Sequence, residues 1–326
     1  MDSGGTIRSL DPRVALAFAV VYVVWGSTYL AIRVVVASVP PAASAAVRFV
    51  SAGLLLLLIA RVTGRTLTMP RCELRALALI ALLLLVVGNG IVVWSEQFVP
   101  SGTAALIVAT LPLWLAVLET VLPDGEHVPP MAWVGVVTGF VGLAILLWPK
   151  LAGGLSADLR GEAALLLAPL SWACGSLYSK RTTFTVSPLV ATGWEMLLGG
   201  LMLAAIAAAT GEFSHFAPTR AGWMALAYLV IFGSCIAFTA FVWLLQHVPA
   251  AKVATYAYVN PVIAVFLGWL LLDEPFSASM ALGTPIIVAA VVLVTTAKMR
   301  REGGTATAQL NIARSGGAQC RATNTA

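Results

Sequence analysis

The chain has 326 residues, of which 60% are hydrophobic and 10% charged, with a net charge of +5 and a mean hydropathy of +0.95. A soluble domain of this composition would lack the polar surface to cover itself, so the lipid bilayer is its solvent. Water-soluble enzymes and nucleic-acid-binding proteins are excluded as classes.

A helix needs roughly 20 apolar residues to cross a hydrocarbon core about 30 Å thick. Segments of that length, bounded by charge, Pro and Gly, predict ten spans: 14–37, 42–61, 75–95, 102–122, 130–148, 161–180, 188–210, 221–245, 250–272 and 277–297. The runs are too long and too continuously apolar for barrel strands, and backbone groups without water must bond internally, which leaves helices. The expected fold class is all-α integral membrane, with ten transmembrane helices. Residues 1–13 form an N-terminal segment, and the first span is expected to be an uncleaved helix because nine more follow it. Residues 149–160 are expected to link two halves, 14–148 and 161–297. Residues 298–326, rich in Gly, Thr, Ala, Gln and Asn, are expected to be a disordered tail.

Candidate residues follow in chain order. Trp25 lies near the midplane of span 1, and Trp25, Tyr29 and Arg33 recur every four residues on one helix face. Arg48 is a charge inside span 2, where anchoring of the span through backbone carbonyls is favoured over contact with a solute. Glu96 ends span 3, either as a carboxylate that exchanges a proton at the mouth or as a solvated surface group. Pro112 in span 4 displaces the carbonyl of Val108, with Thr110 beside it. Glu119 is expected to snorkel from the end of span 4. Gly135 and Gly139 in span 5 permit close helix approach, which leaves a homodimer seam and packing within the chain both open. Trp172, Ser176 and Lys180 repeat the span 1 stripe in span 6. Glu195 in span 7 has no obvious partner and is the second candidate proton carrier. Pro261 in span 9 displaces the carbonyl of Ala257, with Tyr256, Tyr258 and Asn260 supplying polar groups. Asp273 and Glu274 are expected to cap the end of span 9.

Metal and cofactor chemistry has no footing. Cys72, Cys174, Cys235 and Cys320 are far apart, and His127, His215 and His247 fall in predicted loops without ligand spacing. No HExxH or phosphate-binding glycine loop is present. No metal or cofactor is expected.

With the N-terminus inside, cytoplasmic segments hold 14 of the 19 Lys and Arg residues, the opposite face 3 and span interiors 2. Both termini are therefore predicted to be cytoplasmic. The net charge of +5 reflects cation retention beside anionic lipid, and no nucleic-acid partner is expected.

The chain also repeats. An offset of 147 takes Trp25 to Trp172, Arg33 to Lys180, Pro41 to Pro188 and Arg48 to Glu195. An offset of 149 takes Gln97, Val99 and Pro100 to Gln246, Val248 and Pro249, and Pro112 to Pro261. Each half has five spans, an odd number, so the two repeats are inverted. Two such bundles can rock about a central site, which is the geometry of alternating access.

The residues that carry a family resemblance are WGSTYLAIR at 25–33, Arg48-Phe49, SEQFVPSGTAALIVATLPLW at 95–114, and AKVATYAYVNPVIAVFLGWLLLDEP at 251–275. Across all ten spans the chain resembles the EamA-type members of the drug/metabolite transporter superfamily, and the Ser-Glu-Gln before Val99 resembles the YedA-like subgroup of bacterial inner-membrane exporters. The resemblance implies proton-linked efflux of metabolites, amino acids or drugs. One departure is the junction Leu122-Pro123-Asp124-Gly125-Glu126, where the family has a plainer helix end.

The expected function is thus a secondary active transporter, with a small-molecule solute, membrane lipid and the proton as partners. A membrane-embedded enzyme or lipid-handling protein is the alternative, but no clustered catalytic set supports it. A channel would need a ring-forming polar filter, which the sequence lacks.

Overall fold

The structure is a computed structural model that describes residues 11–122, 128–152, 157–248, 253 and 255–297. The expected N-terminal segment before Asp11, the tail from 298 onward, Glu126, His127 and Cys320 lie outside the described residues. The described residues are almost entirely helical and contain no strand. In chain order the helices are α1 (Pro12–Val36), α2 (Pro41–Val62), α3 (Arg71–Ser95), α4 (Ser101–Val121), α5 (Pro130–Ala152), α6 (Ala157–Leu165 and Leu167–Lys180), α7 (Pro188–Ala209), α8 (Arg220–Phe241, continuing to His247), α9 (Tyr256–Leu272) and α10 (Ala278–Ala297). Eight of them are long and apolar enough to cross a membrane, and α9 adds a shorter apolar helix. Each lies where hydropathy predicts a span. Within 149–160, α5 runs on to Ala152 and α6 begins at Ala157.

Several helix starts are written in the sequence. Pro12, Pro41 and Pro188 occupy first-turn positions, where a missing N–H costs nothing. Asp11 Oδ1 accepts from Arg13 N at 2.8 Å, and the Thr219 hydroxyl accepts from Gly222 N at 3.1 Å.

The halves interlock as inverted repeats. Helix α1 packs against α8 and α9 of the second half, and α6 packs against α3 and α4 of the first. Helices α2 and α7 pair antiparallel with backbones in contact: a Cβ on Gly53 would lie 2.6 Å from Leu197 N, and one on Gly200 would lie 2.6 Å from Val50 N. In a bilayer, where apolar burial gives no drive for helix association, such small-residue seams let van der Waals contact do the work. Helices α5 and α10 form the second self-paired seam. A Cβ on Gly135 would meet Val294 and Ala290, and one on Gly139 would meet Leu113 and Ala290. The Gly135 and Gly139 spacing thus serves packing within the chain.

Three local features depart from a plain ten-helix bundle. Helix α4 breaks at Ala109–Thr110, and Pro112 starts its second piece, whereas Pro261 sits inside a continuous α9. Helices α3 and α8 each contain eight residues of wider π-helical turn, Leu82–Asn89 and Leu229–Ile236. Glu119 is buried rather than snorkelling, since the second piece of α4 turns it inward.

Candidate solute site

A cavity of about 300 Å3 lies between the two halves. The first half lines it with α1, α2, α3 and α4, and the second with α6, α7, α8 and α9. Repeat mates meet there: Trp25 with Trp172, Tyr29 with Ser176, Arg48 with Glu195, Phe49 with Met196, and Val108 with Ala257 all line the wall. Pro261 can give no hydrogen bond to Ala257, so that carbonyl lacks its helical partner at the cavity wall.

The two tryptophans cross the pseudo-twofold. Trp25 Nε1 donates to the Gly233 carbonyl at 3.1 Å, and Trp172 Nε1 donates to the Leu84 carbonyl at 2.5 Å. Both acceptors lie in the π-helical stretches, where the wider turn misaligns backbone groups and leaves carbonyls for outside donors. Leu84 and Gly233 are 149 residues apart, the same offset that relates spans 3–4 to spans 8–9. Trp25 also packs on Phe241 and Tyr256, with ring centroids 5.1 Å away in each case.

Arg48 holds Ser234 Oγ through Nε at 3.1 Å and lies 4.9 Å from the centroid of the Phe49 ring. Depth alone favours backbone carbonyls as its anchor. Its partner is instead a hydroxyl on α8, and one terminal guanidinium nitrogen has none among the described residues. Glu195 faces the cavity from α7 without a hydrogen-bond partner among the described residues. Asn260 lines the wall, and with its amide nitrogen turned toward them it donates to the carbonyls of Tyr22 (3.2 Å) and Tyr256 (3.3 Å).

Arg33, Thr110 and Tyr258, read as solute-binding candidates, stand outside the cavity. One turn past Tyr29, Arg33 has climbed beyond the chamber and donates to the Glu96 carbonyl. Thr110 is buried in the α4 break, its hydroxyl bonded to the Ile107 carbonyl at 2.6 Å. Tyr258 packs against the hydrophobic core beside the chamber and does not line it. Pro112 likewise shapes α4 without lining the chamber.

Glu96 is one residue past the end of α3, where Ser95, Glu96, Val99 and Ser101 are all fully buried. Both Glu96 carboxylate oxygens and the Ser95 hydroxyl lack hydrogen-bond partners among the described residues. Burial first, and then the neighbouring Glu274 carboxylate, hold Glu96 well above the usual carboxylate range against the opposing pull of Arg33 and Arg48. Glu274 does more than end its own helix. Its Oε1 accepts from Ser101 N at 2.8 Å, and its Oε2 accepts from Ser101 Oγ at 2.9 Å and Gly102 N at 3.2 Å. A carboxylate of the second half thus caps the N-terminus of α4 in the first and ties the two halves together there. Glu212 does the same for α2, accepting from Ala43 N at 2.8 Å. Neither long-range cap has a sequence signal.

Among the described residues no group of three or more His, Cys, Asp or Glu side chains is placed to hold a metal ion.

The model of the EamA-like transporter family matches the chain twice, over 13–148 and 159–296, which are the two halves described above. The chain is 42% identical over 292 residues to the "Uncharacterized inner membrane transporter YedA" of Escherichia coli K12, covering 89% of this chain and 93% of that protein. It is 25% identical to the "Uncharacterized transporter YoaV" of Bacillus subtilis, covering 89% and 99%. One protein of known crystal structure shares the fold with a TM-score of 0.63 at 20% identity, covering 87% of this chain and 97% of that one. With both halves matched and the nine-tenths coverage of a 42% identical relative, the chain belongs to the EamA-like transporter family and is a membrane transporter.

Proposed function

We propose that the chain is a secondary active exporter that carries small metabolites, amino acids or drugs by alternating access, coupled to protons and seated in a bacterial inner membrane with both termini in the cytoplasm. The observation that carries this is the cavity on the pseudo-twofold, lined by mates from both repeats. Rocking one half against the other about such a site exposes it to each side in turn. The end at Glu96 and Glu274 is then the shut periplasmic mouth, and the distribution of Lys and Arg supports that orientation.

Glu96 and Glu195 are the proton carriers in this reading. Glu96, buried and without a hydrogen-bond partner among the described residues, holds a proton while water is excluded and releases it when its mouth hydrates, and Glu195, on the cavity wall, exchanges its proton for the cationic group of a solute. The test is export from proteoliposomes under a proton gradient. Glu96→Gln and Glu195→Gln each remove one carrier, and at least one of them should abolish uphill export; Glu96→Gln, which lies outside the chamber lining, should leave solute exchange intact. Full uphill export by both variants would end the proton assignment.

A further inference from the structure

Arg48 and Glu195 are repeat mates of opposite sign, and they are the charged side chains among the described cavity-lining residues. The α2–α7 seam sets how far apart they stand. Gly53 lies opposite Leu197 and Gly200 opposite Val50, so Arg48 is seven positions along α2 from the point that faces Glu195. At 1.5 Å per residue, the two charges are rooted about 10 Å apart along the seam. They do not pair with each other. One guanidinium nitrogen of Arg48 is without a partner, and Glu195 makes no hydrogen bond among the described residues. The walls between them carry the indoles of Trp25 and Trp172 with Phe49, Phe238 and Met196.

A solute must therefore answer two opposite charges across an aromatic chamber. A simple anion would satisfy Arg48 and leave Glu195 facing an apolar body, and a simple cation would do the reverse. Either leaves one of the two groups without a partner in the chamber, whether it stays ionised or, as Glu195 can, keeps a proton. We propose that the solute is an amphipathic zwitterion, its anionic group held by the Arg48 guanidinium, its cationic group by the Glu195 carboxylate, and its apolar body laid against Trp25 and Trp172. This rests on the carrier reading of the same cavity and narrows it, because purely cationic drugs and purely anionic metabolites are then poor solutes. The repeat explains the design. Inverted duplication alone would give a chamber with equal poles, and the Arg48 and Glu195 difference makes the poles complementary to a solute that carries two unlike charges.

The test compares compounds that differ only in charge, using full-length protein in detergent and ligand-induced thermal stabilisation. One set is L-phenylalanine, phenethylamine and 3-phenylpropionate; the other is L-norleucine, pentylamine and hexanoate. Removing one charge-assisted hydrogen bond weakens binding about ten- to a hundredfold, so the zwitterion should stabilise at correspondingly lower concentration than either singly charged relative. Arg48→Gln should erase the advantage over the amine, and Glu195→Gln the advantage over the carboxylate. The wild-type series alone decides the matter where a variant fails to fold. An amine or carboxylate that binds as tightly as its zwitterion overturns the proposal, as does failure of both zwitterions to bind. Counterflow in vesicles separates the two levels: zwitterion binding without counterflow removes the carrier reading but keeps the site, whereas counterflow of an amine or carboxylate alone does the opposite.

Discussion

Glu274 offers the sharpest perturbation of the shut mouth. Replacing it with alanine withdraws the acceptors of Ser101 N, Ser101 Oγ and Gly102 N, and Ser101 is fully buried, so water does not take their place while the mouth is closed. An orphaned buried donor costs about 1–3 kcal/mol and the three are not additive, which gives about 3 kcal/mol against the closed arrangement. At 1.4 kcal/mol per tenfold, the open population should rise about a hundredfold. In a background freed of native cysteines, Val99→Cys reports this through its rate of reaction with a membrane-impermeant maleimide, because Val99 is fully buried beside the cap. The expected result is a rate about a hundredfold higher with Glu274→Ala. Leu244→Cys, fully buried at the opposite end of the bundle, should not follow. An unchanged rate at Val99→Cys would refute the latch, and equal increases at both positions would mean that the substitution loosens the whole protein.

The remaining expectations concern the mouth, the seam and the tryptophans. Because Glu96 is held above the ordinary carboxylate range in the closed arrangement, closure is favoured while Glu96 is protonated and is lost as pH rises through that raised value. Labelling of Val99→Cys, normalised to an exposed cysteine at position 72, should therefore accelerate with rising pH, and Glu96→Gln should flatten the profile; a steeper profile in the variant would contradict this. Gly200→Ala puts a methyl 2.6 Å from the Val50 nitrogen and should lower the melting temperature, at a cost of about 1–3 kcal/mol. Gly90→Ala, whose nearest neighbour is 3.5 Å away, should be tolerated, and equal effects at both sites would contradict the seam. Trp25→Phe and Trp172→Phe each leave a π-helical carbonyl without its indole donor, at about 1 kcal/mol. Counterflow should slow several-fold in both, and full rates in both would remove the crossed bonds from the mechanism.

Much of this architecture is legible in the sequence because the bilayer imposes it. Length and apolarity mark the helices, and the offsets of 147 and 149 expose the duplication before any contact is known. Counting residues from the span ends also puts Arg48 and Glu195 about 10 Å apart in depth, which matches the register of the glycine seam between α2 and α7. Radial position is a different matter. A stripe of Trp25, Tyr29 and Arg33 follows from helical period, but where the chamber stops depends on neighbouring helices, and Arg33 ends above it on the Glu96 carbonyl. The π-helical turns leave no trace either, since Leu82–Asn89 reads as ordinary span. Least visible is Glu274, whose partner Ser101 is 173 positions away. Its place beside Asp273 at a helix end suggests a local cap, and only the docked halves turn it across the interface.

Alternating access requires reciprocal motion of the two mouths. With Val99→Cys reporting one end and Leu244→Cys the other, both in membranes of defined orientation, maleimide labelling should be measured as a transported solute is added to saturation. A rocking carrier predicts that labelling rises at one position as it falls at the other. Rates that rise or fall together, or that do not respond, would contradict it.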